Sequence, residues 1–581
     1  MSHYNPVNPD NRIGDLIDAV CAPKYLEGSE THRDAMARIA GTLKDNDDHF
    51  DEILPILREQ RFLPAGRIQA SVGAARQTTA FNCYVSDTIE DSRLGIFQRL
   101  QEAAQTMGLG GGDGFDFSTI RPRGALIKSQ GSGSSGPVSY MRVWDTMCET
   151  IASAGNRRGA MMGVMRVDHP DVEEFIDAKR TAGELKNFNI SVAITDAFMQ
   201  AMWDDTDFDL IFDGVVFKTV SARALWMKIM RSTWSHAEPG VLFIDTINKK
   251  NNLAYCEVIA ATNPCGEQPL PPNGACLLGS FNLTKYVFIT YYGKNRIPQY
   301  HFDSLQLTRD IPPIIRMMDN VVDRTIYPLE AQEIEAKNKR RMGIGVTGLA
   351  NAAAALGYDY GSKDMLSFMT GVMTILRDEA YLTSIQLAKE KGAFPLFNDE
   401  YMNSPFIQTL PEDIQRGIID NGIRNSHLLS IAPTGTISLF AGNISSGIEP
   451  PFSLRYDRRT LMSDSSVEWW PIYDYAYDVW GIKGKTSADL TAQEHIDVLC
   501  VASSLVDSAC SKTCNVGDDV KFEDFQQLYV NAYKGGASGC TTFRPASIAT
   551  RGEVMRDTSM TEDDGAVCTI NPVTGERSCA D

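Results

Sequence analysis

The sequence predicts an α/β protein, on three observations. Helical and strand-like runs alternate from about Leu63 to Pro545, the strand-like runs are short and apolar, and no long Pro/Ser/Gly linker breaks the alternation. Together they argue for a mostly parallel sheet closed by helices. The chain has 581 residues, enough for one large α/β domain with attachments or for several domains of ordinary size. Residues 1 to about 62 read as a polar helical region, with ETHRDAMARIAGTL and HFDEILPILREQRF placing apolar residues at helical spacing. Ser92 to Met107 is an amphipathic helix, and Asn187–Val192 and Gly240–Asp245 are strands. Ser129–Gly136 is a flexible loop inside the domain, too short to separate two domains. Residues 557 to 581 are polar and aromatic-poor, the composition of a mobile tail. The division is therefore 1–62, 63–550 and 551–581, and no internal repeat is found.

Fifty-five Lys and Arg face 74 Asp and Glu, a formal charge of −19. A surface that acidic argues against nucleic acid or an anionic membrane as partner, while leaving room for a local basic pocket. The composition, 43% apolar and 22% charged, is that of an ordinary globular enzyme. The N-terminus lacks the apolar run of a signal peptide, and no stretch has the length of a membrane-spanning helix. Twelve cysteines then read as free thiols in a reducing compartment, the cytoplasm.

Several tempting motifs fail. Gly108–Gly114 has Asp113 where a dinucleotide fingerprint needs its third glycine, and Val479 stands where a P-loop ending at Gly484-Lys-Thr486 needs its first. No two histidines have metal-ligand spacing. Cys510 and Cys514 have no second pair to complete a zinc site and read as small buried side chains. His169 precedes a proline that suits a helix start, which points to capping or packing.

Asn263-Pro-Cys-Gly-Glu267 carries more. In an extended backbone residues two apart project the same way, so an amide, the Cys265 thiol and a carboxylate would share one face. That set suits chemistry on a hydroxylated substrate. Alone it would more often be a buried structural cysteine, but it keeps company with Cys276, with Cys83, and with Cys568 and Cys579 in the tail. A buried thiol pair oxidised at each turnover needs a mobile dithiol to reduce it again by exchange. Pro433-Thr434-Gly435-Thr436 offers hydroxyls and backbone N–H groups where a helix would start, a phosphate cradle or a simple cap.

The pentapeptide, with Cys276 and the Gly-Ser-Phe-Asn-Leu run after it, resembles the finger loop of ribonucleotide reductase catalytic subunits. The resemblance extends over most of the chain: Arg61–Arg67, Phe81-Asn-Cys83, Gly110–Phe117, Ser134–Ser139, Asn156–Ala160, Arg341–Gly345 and Ala432–Ser438 follow in the family's order. It implies a ten-stranded α/β barrel with the finger loop through its centre. It also implies residue roles. Cys265 would be the thiyl radical that takes the ribose 3′-hydrogen, Glu267 would take the 3′-hydroxyl proton, and Asn263 would hydrogen-bond the ribose hydroxyls. Cys83 and Cys276 would supply two reducing equivalents and end as a disulfide. Cys568 and Cys579 would reduce that disulfide and be recharged by a thioredoxin-like partner. Asn82 and Pro433–Thr436 would hold substrate, with Thr434, Gly435 and Thr436 on its phosphates. Asp91, Lys128, Arg157 and Arg158 would serve a dNTP effector that sets substrate specificity, although by themselves Asp91-Ser92 is an ordinary helix N-cap and the two arginines a solvated turn.

The resemblance also selects a radical source. Reductases that draw the radical from a diiron subunit relay it through two adjacent tyrosines on the last barrel strand. Here that stretch is Gly539-Cys-Thr-Thr-Phe-Arg-Pro545, which has no tyrosine. It looks like the adenosylcobalamin-dependent class, class II. No glycyl-radical motif or zinc-binding cysteine quartet appears. Two departures stand out: the tail cysteines are spaced more widely than the close pairs of such arms, and no ATP-cone precedes Arg61. The expectation is a homodimeric, adenosylcobalamin-dependent ribonucleoside-diphosphate reductase, its specificity set by dNTPs but without an overall ATP/dATP switch. The alternatives are a large subunit needing a separate radical-generating metalloprotein, an inactive nucleotide-binding regulator on the same fold, and a generic thiol oxidoreductase.

Overall fold

The computed structural model describes residues 8, 10–128, 130–151, 160–181, 183–461, 467–517 and 519–544, and the backbone of 555–557, 567–570 and 577–580. The N-terminal region is helical as expected. Helix α1 (His32–Leu43) starts in a capping box between Thr31 and Asp34, and α2 (Asp47–Arg58) is capped by Asn46, whose side chain accepts from the His49 N–H. Helix α3 (Arg93–Gly108) has Ser92 as its N-cap, and α4 (Pro137–Thr150) starts on a proline.

The sheet begins with β1 (Phe62–Pro64), β2 (Cys83–Val85), β3 (Gly112–Asp116), β4 (Met161–Arg166), β5 (Phe188–Ile194) and β6 (Gly240–Phe243). Strands β2 to β6 pair in parallel in chain order, with Cys83 against Gly112 and Gly240 against Ser191. A hairpin of β7 (Ala261–Thr262) and β8 (Pro269–Leu270) follows, then β9 (Ala275–Cys276), β10 (Leu278–Asn282) and β11 (Gly343–Thr347). Strand β1 lies antiparallel on β10, outside the main run. The last strands are β12 (Thr513–Asn515) and β13 (Gly539–Phe543).

The second group of strands is also parallel within itself. β10 pairs with β11, β11 meets the 428–431 segment through the Ile344–Leu429 bridge, that segment meets the strand leading to β12 through the Ile431–Cys510 bridge, and β12 pairs with β13. The two groups are antiparallel to each other at both seams, β6 on β13 and β2 on β9. Where a ten-stranded barrel was expected, these strands fall in an eight-stranded and a three-stranded sheet, with the 428–431 segment between them. That segment hydrogen-bonds both neighbours: the Ile344 N–H donates to the Leu428 carbonyl at 2.8 Å and the Ser430 N–H to the Ile344 carbonyl at 3.2 Å, while the Ile431 N–H donates to the Ala509 carbonyl at 3.1 Å and the Ser511 N–H to the Ile431 carbonyl at 2.8 Å. A buried carboxylate adds to these: Asp507 accepts from the Leu428 and Leu429 N–H groups at 2.8 Å each and from the Tyr381 hydroxyl at 2.7 Å.

The strands are buried on both faces, which is why they read as near-continuous apolar runs. Cys83, Val85, Val164, Ala193, Leu242, Cys276 and Leu278 belong to an inner cluster, and larger clusters lie between strands and helices. The β7–β8 hairpin runs through the inner space. Glycine makes this possible at two points: a Cβ on Gly114 would stand 2.0 Å from the Thr262 carbonyl oxygen, and one on Gly343 would stand 2.2 Å from Gln268 Nε2. Within the expected Ser129–Gly136 loop, Ser132–Gly133 pair with Leu126–Ile127 in a small hairpin. Asp245 is helical rather than the end of a strand, because β6 stops at Phe243. Among the described residues no helix is long and apolar enough to cross a membrane.

Candidate active site

The tip of the β7–β8 hairpin is the pentapeptide, and its backbone is not extended as the alternation argument expected. It is a tight turn: the Gly266 N–H donates to the Asn263 carbonyl at 3.1 Å, and the Asn263 N–H donates to the Gln268 carbonyl at 3.1 Å. Gly266 sits at φ +78°, a conformation that costs glycine nothing and other residues about 1–2 kcal/mol. The turn brings Asn263 and Glu267 together by folding back. The Asn263 Nδ2 donates to Glu267 Oε2 at 2.8 Å, and its Oδ1 accepts from the Gln268 N–H at 3.0 Å. Both side chains are buried, while Cys265 at the apex is exposed.

The turn is pinned from two walls. Asn189 on β5 donates to the Pro264 carbonyl at 2.8 Å, and the Ala509 N–H donates to the Glu267 carbonyl at 3.1 Å. Cys83 and Cys276 are cross-strand partners in the β2–β9 seam, which sets their side chains next to each other. Both are buried and neither is in a disulfide. Burial pushes the Cys276 thiol well above its ordinary range, and the neighbouring Cys83, Glu267 and Cys265 push it further. Cys276 is thus a neutral thiol within electrostatic reach of all three.

Pro433–Thr436 leads into α5 (Gly435–Phe440). The first-turn N–H groups of Gly435, Thr436 and Ile437 find no acceptor within that helix. Gly435 is exposed, Pro433 and Thr436 half-buried. Thr434 is buried, with its hydroxyl turned inward onto Thr347 and Ser438. Asn82, half-buried beside Cys83, keeps its Oδ1 buried without a hydrogen-bond partner.

The helix starts at the expected Asp91-Ser92 pair, with Ser92 as the N-cap residue, and Asp91 accepts from Arg121 Nε at 2.8 Å and from the Arg121 N–H at 3.1 Å. Lys128 follows the Leu126–Ile127 strand and is exposed. Arg157 and Arg158 lie outside the described residues. Of the tail, β14 (Val567–Ile570) and β15 (Arg577–Ala580) pair antiparallel with Cys568 opposite Cys579; their side chains lie outside the described residues. Away from the site, Cys514 is buried on β12, and its contact with Cys540, followed by burial, pushes the Cys540 thiol up. His169 is buried, hydrogen-bonded to Ile120 O and the Asp171 N–H, a packing residue as expected.

Sequence reasoning missed the supporting residues Asn189, Asp507, Thr347 and Ser438. The signal available was indirect: paired glycines in Gly343-Ile-Gly345 mark a place where another backbone approaches closely.

Residues 81–543 match the ribonucleotide reductase barrel domain. The chain is 33% identical over 522 residues to a vitamin B12-dependent ribonucleoside-diphosphate reductase of Mycobacterium tuberculosis, covering 85% of this chain and 71% of that protein. It is 33% identical over 531 residues to a protein so named in Thermoplasma acidophilum, covering 86% of this chain and 65% of the relative. It is also 27% identical over 460 residues to the ribonucleoside-diphosphate reductase large subunit of variola virus, covering 72% of this chain and 58% of that subunit. The chain belongs to the ribonucleotide reductase family.

Proposed function

We propose that the protein reduces ribonucleoside diphosphates to 2′-deoxyribonucleotides with adenosylcobalamin as its radical source. One observation carries the reading: an exposed thiol at the apex of a turn whose buried amide and carboxylate are hydrogen-bonded to each other, with a reduced cross-strand cysteine pair in electrostatic contact. The names of the two relatives at 33% identity support the cofactor and the diphosphate.

The residues beside the turn are small and polar, which suits a planar cofactor laid against them. Gly240 has Ser191 Oγ and Thr541 Oγ1 at 3.0 and 3.3 Å from where its Cβ would stand, so a larger side chain at this position would crowd both hydroxyls. Asn189, Ser191, Gly240 and Thr541 would face the cofactor, which supplies hydrogen-abstracting one-electron chemistry when bound. No residue of Gly539–Phe543 carries a phenol, so a tyrosine relay through β13 has no hydroxyl to use.

Cys265 gives up its hydrogen atom and, as a thiyl, takes the 3′-hydrogen of the ribose. Glu267 accepts the 3′-hydroxyl proton, and Asn263 holds the carboxylate in place and hydrogen-bonds the ribose hydroxyls. The 2′-hydroxyl leaves as water. Cys83 and Cys276 furnish two electrons and two hydrogens and end as a disulfide, and Cys265 returns the hydrogen it took to the 3′-carbon, which leaves it a thiyl again until it recovers the hydrogen it first gave to the radical source. A neutral Cys276 suits this step, because it must deliver a proton as well as an electron. Asn82 and Pro433–Thr436 hold the substrate, with its phosphates on the α5 side. Cys568 and Cys579, opposed in register, then reduce the internal disulfide and are recharged by a thioredoxin-like dithiol.

Specificity regulation by dNTPs is assigned to Asp91, Lys128, Arg157 and Arg158. A homodimer is supported by apolar side chains left exposed on the adjacent helices α3 and α4: Leu94 is 83% exposed, Phe97 46% and Val143 37%. The working compartment is the cytoplasm.

The test is reduction of CDP by purified protein with dithiothreitol and mixed dNTPs, with and without adenosylcobalamin. Cobalamin-dependent dCDP that vanishes in Cys265→Ala is the expected result. No product from CDP or CTP with cobalamin present would overturn the reading.

A further inference from the structure

The strands Arg455–Leu461 and Val467–Tyr473 form an antiparallel hairpin in which Asp457 stands opposite Pro471. The hairpin packs through Tyr456, Trp470 and Ile472 on Leu439 and Phe440 of α5. Tyr456 donates its hydroxyl to Asn443 Oδ1 at 2.9 Å, and Asn443 Nδ2 donates to the Tyr473 carbonyl at 2.8 Å. Helix α5 is six residues long, roughly 9 Å at 1.5 Å per residue. The hairpin therefore sits against the far end of a short helix whose near end is the candidate substrate loop.

The outer edge of this hairpin is occupied. Met555–Asp557 adds as a third, antiparallel strand, with Tyr456 opposite Asp557, Asp457 opposite Arg556 and Arg458 opposite Met555. The other side of the hairpin shows which backbone groups serve it. In an antiparallel pair, opposed residues turn their polar groups either towards each other or both away. Pro471 has no N–H to give, and its carbonyl accepts from the Arg12 N–H at 3.0 Å, outside the hairpin. Pro471 and Asp457 are thus a pair that turns away, and the Asp457 N–H and carbonyl face Arg556. The occupant also suits the edge in charge. The edge strand carries Arg455, Arg458 and Arg459, in a chain of formal charge −19, and the sequence beyond Asp557 soon reads Glu562-Asp-Asp564.

We propose that the outer edge of the Arg455–Leu461 strand is the docking site of the chain's own C-terminal segment, and that it anchors the arm bearing Cys568 and Cys579 beside the substrate site. This rests on the reading of those cysteines as the reductant of the Cys83–Cys276 disulfide. In that exchange the arm's two thiols become a disulfide and the internal disulfide becomes two thiols, so no other reactant enters. From Asp557 to Cys568 is eleven residues, a reach of up to about 36–40 Å, ample for a site just beyond α5. Without the docked strand, the nearest described attachment upstream is Arg544, 4.1 Å from the Trp234 ring centroid, and the arm to Cys568 becomes 24 residues. Effective concentration falls with roughly the −3/2 power of tether length, so release lowers it about threefold.

The test is amide hydrogen exchange on the full chain, paired with dCDP formation driven either by thioredoxin and its reductase or by dithiothreitol. The 455–459 amides should be protected. Arg556→Pro removes the N–H that meets Asp457, so that protection should be lost, while Arg556→Ala keeps the N–H and should retain it. Thioredoxin-driven turnover should fall about threefold in Arg556→Pro and stay unchanged in Arg556→Ala. Turnover on dithiothreitol should hold in both, because a small dithiol reaches the internal disulfide without the arm. Asp457→Pro removes the matching donor on the hairpin, one that the Val467–Tyr473 strand does not use, and should reproduce both effects. Equal exchange at 455–459 in the unmodified chain and Arg556→Pro would overturn the docking site. Protection that disappears on dilution would assign the strand to a second copy and overturn docking in cis. Protection lost with thioredoxin-driven turnover unchanged would overturn the anchoring role. If Cys568→Ser/Cys579→Ser keeps thioredoxin-driven turnover, the reading of the arm as reductant fails and the anchor loses its purpose, a result the exchange data do not share.

Discussion

Cys83 and Cys276 stand opposite one another across the antiparallel seam that joins the two groups of parallel strands, one from each group. A bond between them would link the two groups. In the proposed mechanism that bond forms at every turnover.

Protein turned over without external reductant should accumulate this disulfide. Peptide mapping after a single turnover would find Cys83 joined to Cys276, and Cys276→Ser should abolish multiple turnovers with dithiothreitol. Sustained dCDP formation by Cys276→Ser would remove the pair from the mechanism.

Glu267→Gln keeps the shape of the turn and removes the proton acceptor. A fall in kcat of about 10²–10⁴-fold with little change in KM is expected, the usual contribution of a general base. Asn263→Leu should also lower kcat, because Glu267 Oε2 loses a donor at 2.8 Å. Steady-state kinetics on CDP check both.

Asp507 ties down the 428–431 segment through two backbone N–H groups, so Asp507→Ala orphans two buried donors and the Tyr381 hydroxyl. A loss of about 3 kcal/mol is expected in urea unfolding. A loss below about 1 kcal/mol would show that this clamp is dispensable.

His169 should stay neutral well below the usual histidine range. Burial pushes its pKa down to about 4, and its Nδ1 accepts from the Asp171 N–H, a bond that protonation destroys. The folded form therefore binds its proton later than the unfolded chain, and stability falls as pH drops from about 6.5 to about 4, by roughly 3 kcal/mol for this group. Asp474 and Asp507, pushed up to about 6 by burial, act the other way: their protonated forms favour folding, and that share is lost as pH rises from about 4 to about 6. His169→Gln should flatten the acid limb of a plot of unfolding midpoint against pH, whereas Asp474→Asn should not. An unchanged slope in His169→Gln would remove it from the pH response.

The α/β class, the helical N-terminal region, the Ser92–Met107 helix and the core of the Asn187 and Gly240 strands were legible because each rests on local periodicity and capping. The chemistry of Asn263, Cys265 and Glu267 was legible because all three sit in one pentapeptide. Their geometry was not: an alternation argument assumes extended chain, and Gly266 at positive φ makes a turn instead. The pairing of Cys83 with Cys276 joins strands nearly two hundred residues apart in the chain, and no local pattern sets that register.

What the sequence by itself determined, then, is which residue types are present for radical, proton and thiol chemistry, and the family that arranges them. Tertiary structure alone decided that the 428–431 segment lies between β11 and the strand leading to β12 and is clamped by Asp507, that Asn189 and Ala509 pin the turn, and that the Thr434 hydroxyl faces Thr347 and Ser438. The physical reason is that periodicity reports the direction of a side chain relative to its own element. Which groups share a buried hydrogen bond depends on how distant elements dock.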